Sequence, residues 1–265
     1  MITVMVCGAA GKMGREVVKA VHADPELMLV GGVDHSKRGT DLGTVAGIES
    51  LGLPVYSDLS RALAETNPDV LVDFTSPAVV FENAKTTLSA GVHIVIGTTG
   101  LTAEQRDELA KIGAEHKANC LVAPNFSLGA VMMMKTAAQL APYFPNVEII
   151  ELHHNHKYDA PSGTSVLTAK LINEAKQAAG AEAAEDLTKE SLPGARGAKV
   201  DGVTIHSVRL PGYVAHQEVV FGGYDETLTI RHDSLSRLSF MPGVVLACKK
   251  IVEKPGLTCG LEHYL

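Results

Sequence analysis

Five short, almost uninterrupted apolar runs, spaced by longer amphipathic stretches, constrain this chain more than any other feature. They are Ile2–Cys7, Leu27–Val33, Val70–Phe74, Val92–Ile96 and Cys120–Ala123. A strand covered on both faces reads this way, because neither side of it meets water. Between the runs, Met13–Ala23, Leu59–Glu65, Val79–Ala90 and Ala103–Lys117 carry the wider period of helices. Thr102 and Gln105 are spaced as a capping box at the start of the last helix. Strands joined by helical crossovers predict an α/β fold whose first part, residues 1–126, is a doubly wound parallel sheet.

In such sheets ligands sit beyond the carboxyl ends of the strands. Here those ends are small, polar and glycine-rich. The first run passes into Gly8-Ala9-Ala10-Gly11-Lys12-Met13-Gly14 and the second into Asp34. The third passes into Asp73-Phe74-Thr75-Ser76-Pro77, the fourth into Gly97-Thr98-Thr99-Gly100, and the fifth into Ala123-Pro124-Asn125-Phe126. Gly8-x-x-Gly11-x-x-Gly14 lies between a strand and a helix, where a tight turn lets backbone N–H groups approach a pyrophosphate. Asp34 follows at the end of the second strand, placed to accept hydrogen bonds from an adenosine ribose. Together these give a Rossmann-type dinucleotide site. Asp34 repels a 2′-phosphate and favours NADH, whereas Lys12, Lys37 and Arg38 can offset that repulsion and admit NADPH. Use of both cofactors with a weak NADH preference is the expectation.

Composition narrows the function classes. A chain of 265 residues with 46% hydrophobic and 20% charged side chains has the make-up of an ordinary folded protein. Its net charge of −7 argues against a dedicated nucleic-acid binder. There is no apolar run long enough to span a membrane, and the start does not have the form of a signal peptide. Cys7, Cys120, Cys248 and Cys259 are scattered, which fits a reduced, cytoplasmic setting and no metal site.

After Phe126 the period changes. Leu128–Ala141 and Ser162–Ala178 read as helices, and Val147–Leu152, Val203–Leu210, Glu218–Phe221 and Thr227–Arg231 as strands. Leu228 and Ile230 alternate with polar neighbours, as on a sheet buried on one face, and Gly222–Asp225 reads as a hairpin turn. These elements predict a second, α+β domain over residues 127–235 with an open mixed sheet. An uncovered sheet invites association between subunits. Gly180–Gly202 reads as a long mobile loop. Leu238–Val252 returns to a helical pattern, and the segment 236–265 is expected to complete the first domain.

The densest chemistry lies in ELHHNHKYDAPSGTS, residues 151–165. His153, His154, His156 and Lys157 crowd a strand end, and Ser162-Gly163-Thr164 opens a helix whose free N–H groups suit a carboxylate. Imidazole exchanges protons near neutral pH, and a lysine supplies charge or a proton. Zinc is disfavoured, because neighbouring residues on an extended strand point to opposite faces.

With VCGAAGKMG, DFTSP, GTTG, APNFSLG and above all ELHHNHKYDAPSGTS in view, the chain resembles the 4-hydroxy-tetrahydrodipicolinate reductases (dihydrodipicolinate reductases) of bacterial lysine and diaminopimelate biosynthesis. The resemblance implies a two-domain oxidoreductase, a homotetramer built through the second-domain sheets, acting with NADH or NADPH on a cyclic dicarboxylate. It implies that His153 is the proton donor/acceptor and Lys157 the proton donor, with His154, Ser162, Gly163 and Thr164 around the substrate carboxylates. Cofactor contacts are implied for Gly8 through Gly14, Asp34, Gly97, Thr98, Thr99, Ala123, Pro124, Asn125 and Phe126. Two other readings share the glycine loop: a different two-domain dehydrogenase of the aspartate pathway, and a redox sensor that binds NAD(H) without turnover.

Overall fold

The computed structural model describes residues 1–182 and 184–265. In chain order its first elements are β1 (Ile2–Cys7), α1 (Lys12–Ala23), β2 (Leu27–Val33), α2 (Leu42–Ala46), β3 (Val55–Tyr56) and α3 (Leu59–Thr66). They continue with β4 (Val70–Asp73), α4 (Val80–Ser89), β5 (His93–Ile96), α5 (Ala103–His116) and β6 (Cys120–Val122). Then come α6 (Leu128–Leu140), β7 (Asn146–His153), α7 (Gly163–Ala179), β8 (Ala198–Val200), β9 (Val203–Arg209), β10 (Ala215–Gly222) and β11 (Thr227–Ser234). The chain ends with α8 (Met241–Lys250) and β12 (Leu257–Cys259). It divides into two compact units, Met1–Phe126 with Arg237–Leu265, and Ser127–Ser236.

The first unit holds a seven-stranded sheet in the order β12-β6-β5-β4-β1-β2-β3. All its pairings are parallel. Val4, Val6, Leu71, Ile94 and Leu121 are buried, as continuous apolar runs require. From β1 the order runs outward through β2 and β3 on one side and through β4, β5 and β6 on the other. The reversal lies between β1 and β4, where a doubly wound sheet opens a crevice. The Thr102 capping box forms: Gln105 N donates to Thr102 Oγ1 at 3.2 Å, and Thr102 N donates to Gln105 Oε1 at 2.9 Å.

The second unit is a mixed sheet in the order β11-β10-β7-β9-β8. Only β7 and β9 are parallel, and the other neighbours are antiparallel. Helices α6 and α7 pack on one another and on one face of the sheet, burying Val147, Ile149, Ile205, Val219 and Phe221. By the two-residue period of strands, Ile150, Leu152, Val208 and Val220 occupy the other face, where they are half-buried.

Several expectations change. Strand β7 extends through His153, and β10 starts at Ala215 because its pairing with β7 runs the full length of both. Leu228 is 37% exposed, since β11 is an edge strand and only part of its inner face is covered. The stretch 180–202, of which Ala183 lies outside the described residues, is not loop throughout: Ala198–Val200 forms β8 against β9. Arg196 is also held there by Glu148 and, at 3.3 Å, by Asp186. The helix read over Leu238–Val252 narrows to Met241–Lys250, with a proline in its first turn and a 3₁₀ turn on either side. Elements α2, β3 and β12 were not expected.

Candidate active site

In the first unit, strand register brings the tips together. Cys7 pairs with Asp73, Asp73 with Ile96, and Ile96 with Val122. The next residues continue the ladder: Phe74 N donates to Cys7 O at 3.0 Å, Gly97 N to Asp73 O at 2.9 Å, and Ala123 N to Ile96 O at 3.0 Å. The glycine loop, Gly97–Thr99 and Ala123–Phe126 therefore share one edge of the sheet.

The loop is built for close approach. Gly8 sits at φ 80°, in the left-handed region. A Cβ on Gly14 would stand 2.1 Å from the Gly8 carbonyl oxygen, so α1 starts against the turn itself. Helix α1 begins at Lys12 and Met13, with Gly11 as N-cap, no side-chain cap and no acid in its first turn. That leaves an uncovered helix N-terminus suited to a pyrophosphate. Asp34 accepts from Ala10 N at 3.0 Å through Oδ2 and from Ser36 N at 2.9 Å through Oδ1. Partial burial pushes its carboxyl upward, but the bonds from Ser36 and Ala10 prevail and hold it below the ordinary range. A carboxylate with lone pairs left over can receive ribose hydroxyls, so these residues fit a dinucleotide.

Not every candidate presents its side chain. Ala9 is fully buried and faces Gly32, and Phe126 is buried against Phe74 with ring centroids 5.7 Å apart. Thr98 Oγ1 turns inward to Asp73 Oδ1 at 2.7 Å, whereas Thr99 and Pro124 are exposed and Asn125 half-buried. The sequence reading gave Asp73 no role. It is fully buried, and also receives Thr75 N at 3.1 Å, Thr75 Oγ1 at 2.8 Å and Asn83 Nδ2 at 2.9 Å. It ties two strand tips and α4 together.

In the second unit, His153 closes β7 with its Nδ1 hydrogen-bonded to Glu151. His154 follows; its Nδ1 receives His156 N at 3.3 Å, and the two rings lie 6.3 Å apart. Lys157 Nζ donates to Asp159 Oδ1 at 2.7 Å and Oδ2 at 3.0 Å. Asp159 also receives the Gly163 backbone N–H, and the Lys157 bond leads in lowering its pKa. One carboxylate thus joins the lysine to the start of α7. Ser162 caps α7, its Oγ receiving Ser165 N at 3.2 Å. Ser165 Oγ then donates to Gln217 Oε1 at 2.8 Å, and Gln217 Nε2 to Thr168 Oγ1 at 2.9 Å. The Ser162 hydroxyl is buried in this network, so what faces outward is the helix end: Gly163 is exposed, with open space where a Cβ would be, and Thr164 is half-buried.

Arg209 was also absent from the sequence reading. Its Nη1 and Nη2 reach Glu151 at 2.8 and 2.7 Å, and Nη2 reaches Asp159 O at 2.7 Å. Among the described residues, no group of three His, Cys, Asp or Glu side chains is arranged to hold a metal ion.

Comparison with known proteins agrees with this geometry. Residues 2–126 match the family model "Dihydrodipicolinate reductase, N-terminus", and residues 129–265 match "Dihydrodipicolinate reductase, C-terminus". A 4-hydroxy-tetrahydrodipicolinate reductase from Listeria monocytogenes serotype 4b is 50% identical over 262 residues, 99% of each chain. One from Synechocystis is 47% identical, covering 100% of this chain and 98% of the other. A dipicolinate-bound dihydrodipicolinate reductase from Paenisporosarcina sp. TG-14 superposes over the whole of both chains with TM-score 0.88 and 44% identity. An amine dehydrogenase from Mycobacterium smegmatis, at TM-score 0.68 and 16% identity, shares the fold alone. Family models covering both units, with relatives near half identity along the full length, establish that the chain belongs to the dihydrodipicolinate reductase family.

Proposed function

We propose that the chain reduces (2S,4S)-4-hydroxy-2,3,4,5-tetrahydrodipicolinate to (S)-2,3,4,5-tetrahydrodipicolinate with release of water, in lysine and diaminopimelate biosynthesis. The observation that carries this reading is the strand end at 151–165: a histidine braced by a buried carboxylate, and a lysine joined through Asp159 to the start of α7, in a chain whose other unit is a Rossmann sheet. The first unit, 1–126 completed by 236–265, binds the dinucleotide. The second, 127–235, binds the substrate and associates with other subunits.

The substrate is a dianion. The start of α7 at Gly163 and Thr164, with His154, receives a carboxylate, which displaces Asp159 from the Gly163 N–H. Lys157 supplies the opposing charge once its ammonium exchanges Asp159 for the substrate. When bound, the reduced nicotinamide supplies the hydride. His153 and Lys157 hold and deliver the proton that balances it; the imidazole does so through Nε2, since Nδ1 is engaged by Glu151. In the first unit, Gly8–Gly14 hold the pyrophosphate, Asp34 the ribose, and Gly97–Thr99 with Ala123–Phe126 line the sheet edge toward the nicotinamide. Asp34 favours NADH, and exposed Lys12, Lys37 and Arg38 permit NADPH. The half-buried Ile150, Leu152, Val208 and Val220 support a homotetramer assembled through this sheet. Four free cysteines support a cytoplasmic setting; among the described residues no helix is long and apolar enough to cross a membrane.

The test is loss of NADH or NADPH absorbance with the product of the preceding synthase generated in situ, with homoserine and aspartate plus oxidised cofactors as controls. Oxidation only with the cyclic intermediate supports the reading. NADH binding without turnover overturns it in favour of a sensor.

A further inference from the structure

Glu151 is a fully buried carboxylate on β7 that enters the chemistry above only by occupying His153 Nδ1. An unpaired carboxylate in that position costs several kcal/mol, so its partners are informative. Arg209 engages both its oxygens, and His153 Nδ1 engages Oε2. The grouping follows from strand geometry. Glu151 and His153 are two residues apart on one face of β7, and Arg209 stands opposite His153 on the parallel neighbour β9. Burial pushes the Glu151 carboxyl upward, but bonds from His153, Arg209 and Ser207 outweigh it and bring the pKa to about 2. An ionised carboxylate only accepts, so the proton in its contact with the imidazole belongs to Nδ1. The nitrogen left for substrate is Nε2.

We propose that Glu151 is a positioning residue for the reaction: it fixes the tautomer and orientation of His153 and, through Arg209, anchors the segment that carries Lys157. The second half follows from the Arg209 bond to the Asp159 carbonyl, since the Asp159 carboxylate in turn holds Lys157 Nζ. The two proton-handling groups thereby share one buried anion. This inference rests on the reading of His153 and Lys157 given above. A purely structural ion pair needs only Glu151 and Arg209, and would leave the imidazole free to adopt either tautomer.

The experiment is ¹⁵N NMR of the full chain labelled at histidine, without substrate, with the His153 signals assigned by their absence from His153→Asn. The expected result is a single Nδ1-protonated tautomer for His153 that loses its uniformity in Glu151→Gln. In turnover, Glu151→Gln should lower kcat at least tenfold and up to about 10⁴-fold, the range for loss of a carboxylate that orients a catalytic histidine. KM for NADH should stay within about threefold, as for a group acting on one step only. An Nε2-protonated or mixed His153 in the unaltered protein overturns the proposal, as does a Glu151→Gln enzyme with undiminished kcat. The first arm needs no substitution at Glu151, so a variant that fails to fold leaves the test intact. Because the tautomer is read without substrate, its failure sinks the role of Glu151 while the functional reading stands or falls on the turnover assay.

Discussion

Replacing Asp73 by alanine tests how the strand tips of the first unit are held. The carboxylate is fully buried and takes four donors between 2.7 and 3.1 Å, from Thr75 N, Thr75 Oγ1, Thr98 Oγ1 and Asn83 Nδ2. Three of them have somewhere else to turn. Thr75 N already reaches Thr98 Oγ1 at 2.8 Å, Thr98 Oγ1 lies 3.5 Å from the Asp73 carbonyl, and Asn83 Nδ2 lies 3.5 Å from Thr75 Oγ1. The last two are at the limit of a hydrogen bond, so the net loss is about two good buried bonds. At about 1–3 kcal/mol for each buried group left short, Asp73→Ala should cost about 2–6 kcal/mol. Asp73→Asn is the control. It keeps Oδ1, which serves both threonines, and changes only the atom facing Asn83, whose amide can turn over. Its cost should be about 1 kcal/mol, the worth of one ordinary hydrogen bond. The chain has no tryptophan, so urea unfolding is followed by far-ultraviolet circular dichroism, comparing midpoints at equal slope. If alanine and asparagine lowered the midpoint equally, acceptor geometry would not be what Asp73 contributes, and the reasoning would be refuted.

Lys157→Ala should lower kcat/KM by about 10²- to 10⁴-fold, since charge and proton donor leave together, while NADH titrated by fluorescence binds as before. Gly14→Ala should abolish that NADH signal and leave the activity-independent fold of the second unit intact, because the new methyl meets the Gly8 carbonyl at 2.1 Å and backbone cannot yield cheaply. Acid should weaken the second unit in a defined window. The Glu151 pKa is depressed from 4.5 to about 2, so its stabilisation is complete above the unfolded value and is lost as pH falls from 4.5 through about 2. At 1.36 kcal/mol per unit that is ~3 kcal/mol, and an Arg209→Met chain should show a shallower decline over the same window in urea midpoints.

What could be read from residues alone follows physical lines. Strands β1, β2, β4, β5 and β6 were readable because a strand buried on both faces excludes polar residues along its whole length. Strands β3 and β12 were not, being two and three residues long. Their place is set by partners far along the chain, as when Asp34 N bonds Tyr56 O or Cys120 N bonds Gly256 O. The same divide runs through the site. His153, Lys157 and Gly163 announce themselves by crowding reactive groups into one segment. Arg209 lies 58 residues from Glu151 and meets it only through the pairing of β7 with β9. The inward turn of Ser162 was likewise hidden, because its network requires Gln217 from β10.

The division of the chain into Met1–Phe126 with Arg237–Leu265, around a continuous Ser127–Ser236, has a consequence for biosynthesis on the ribosome. The second unit is complete in itself once Ser236 has emerged. The first must wait: its sheet lacks β12, and β6 keeps an unpaired edge, until Leu257–Cys259 are made. Synthesis from the N-terminus therefore delivers the inserted unit whole while its host is still open along one side. An open strand edge is where unfinished chains pair with one another. The nascent first unit thus stays open to edge pairing until β12 closes its sheet.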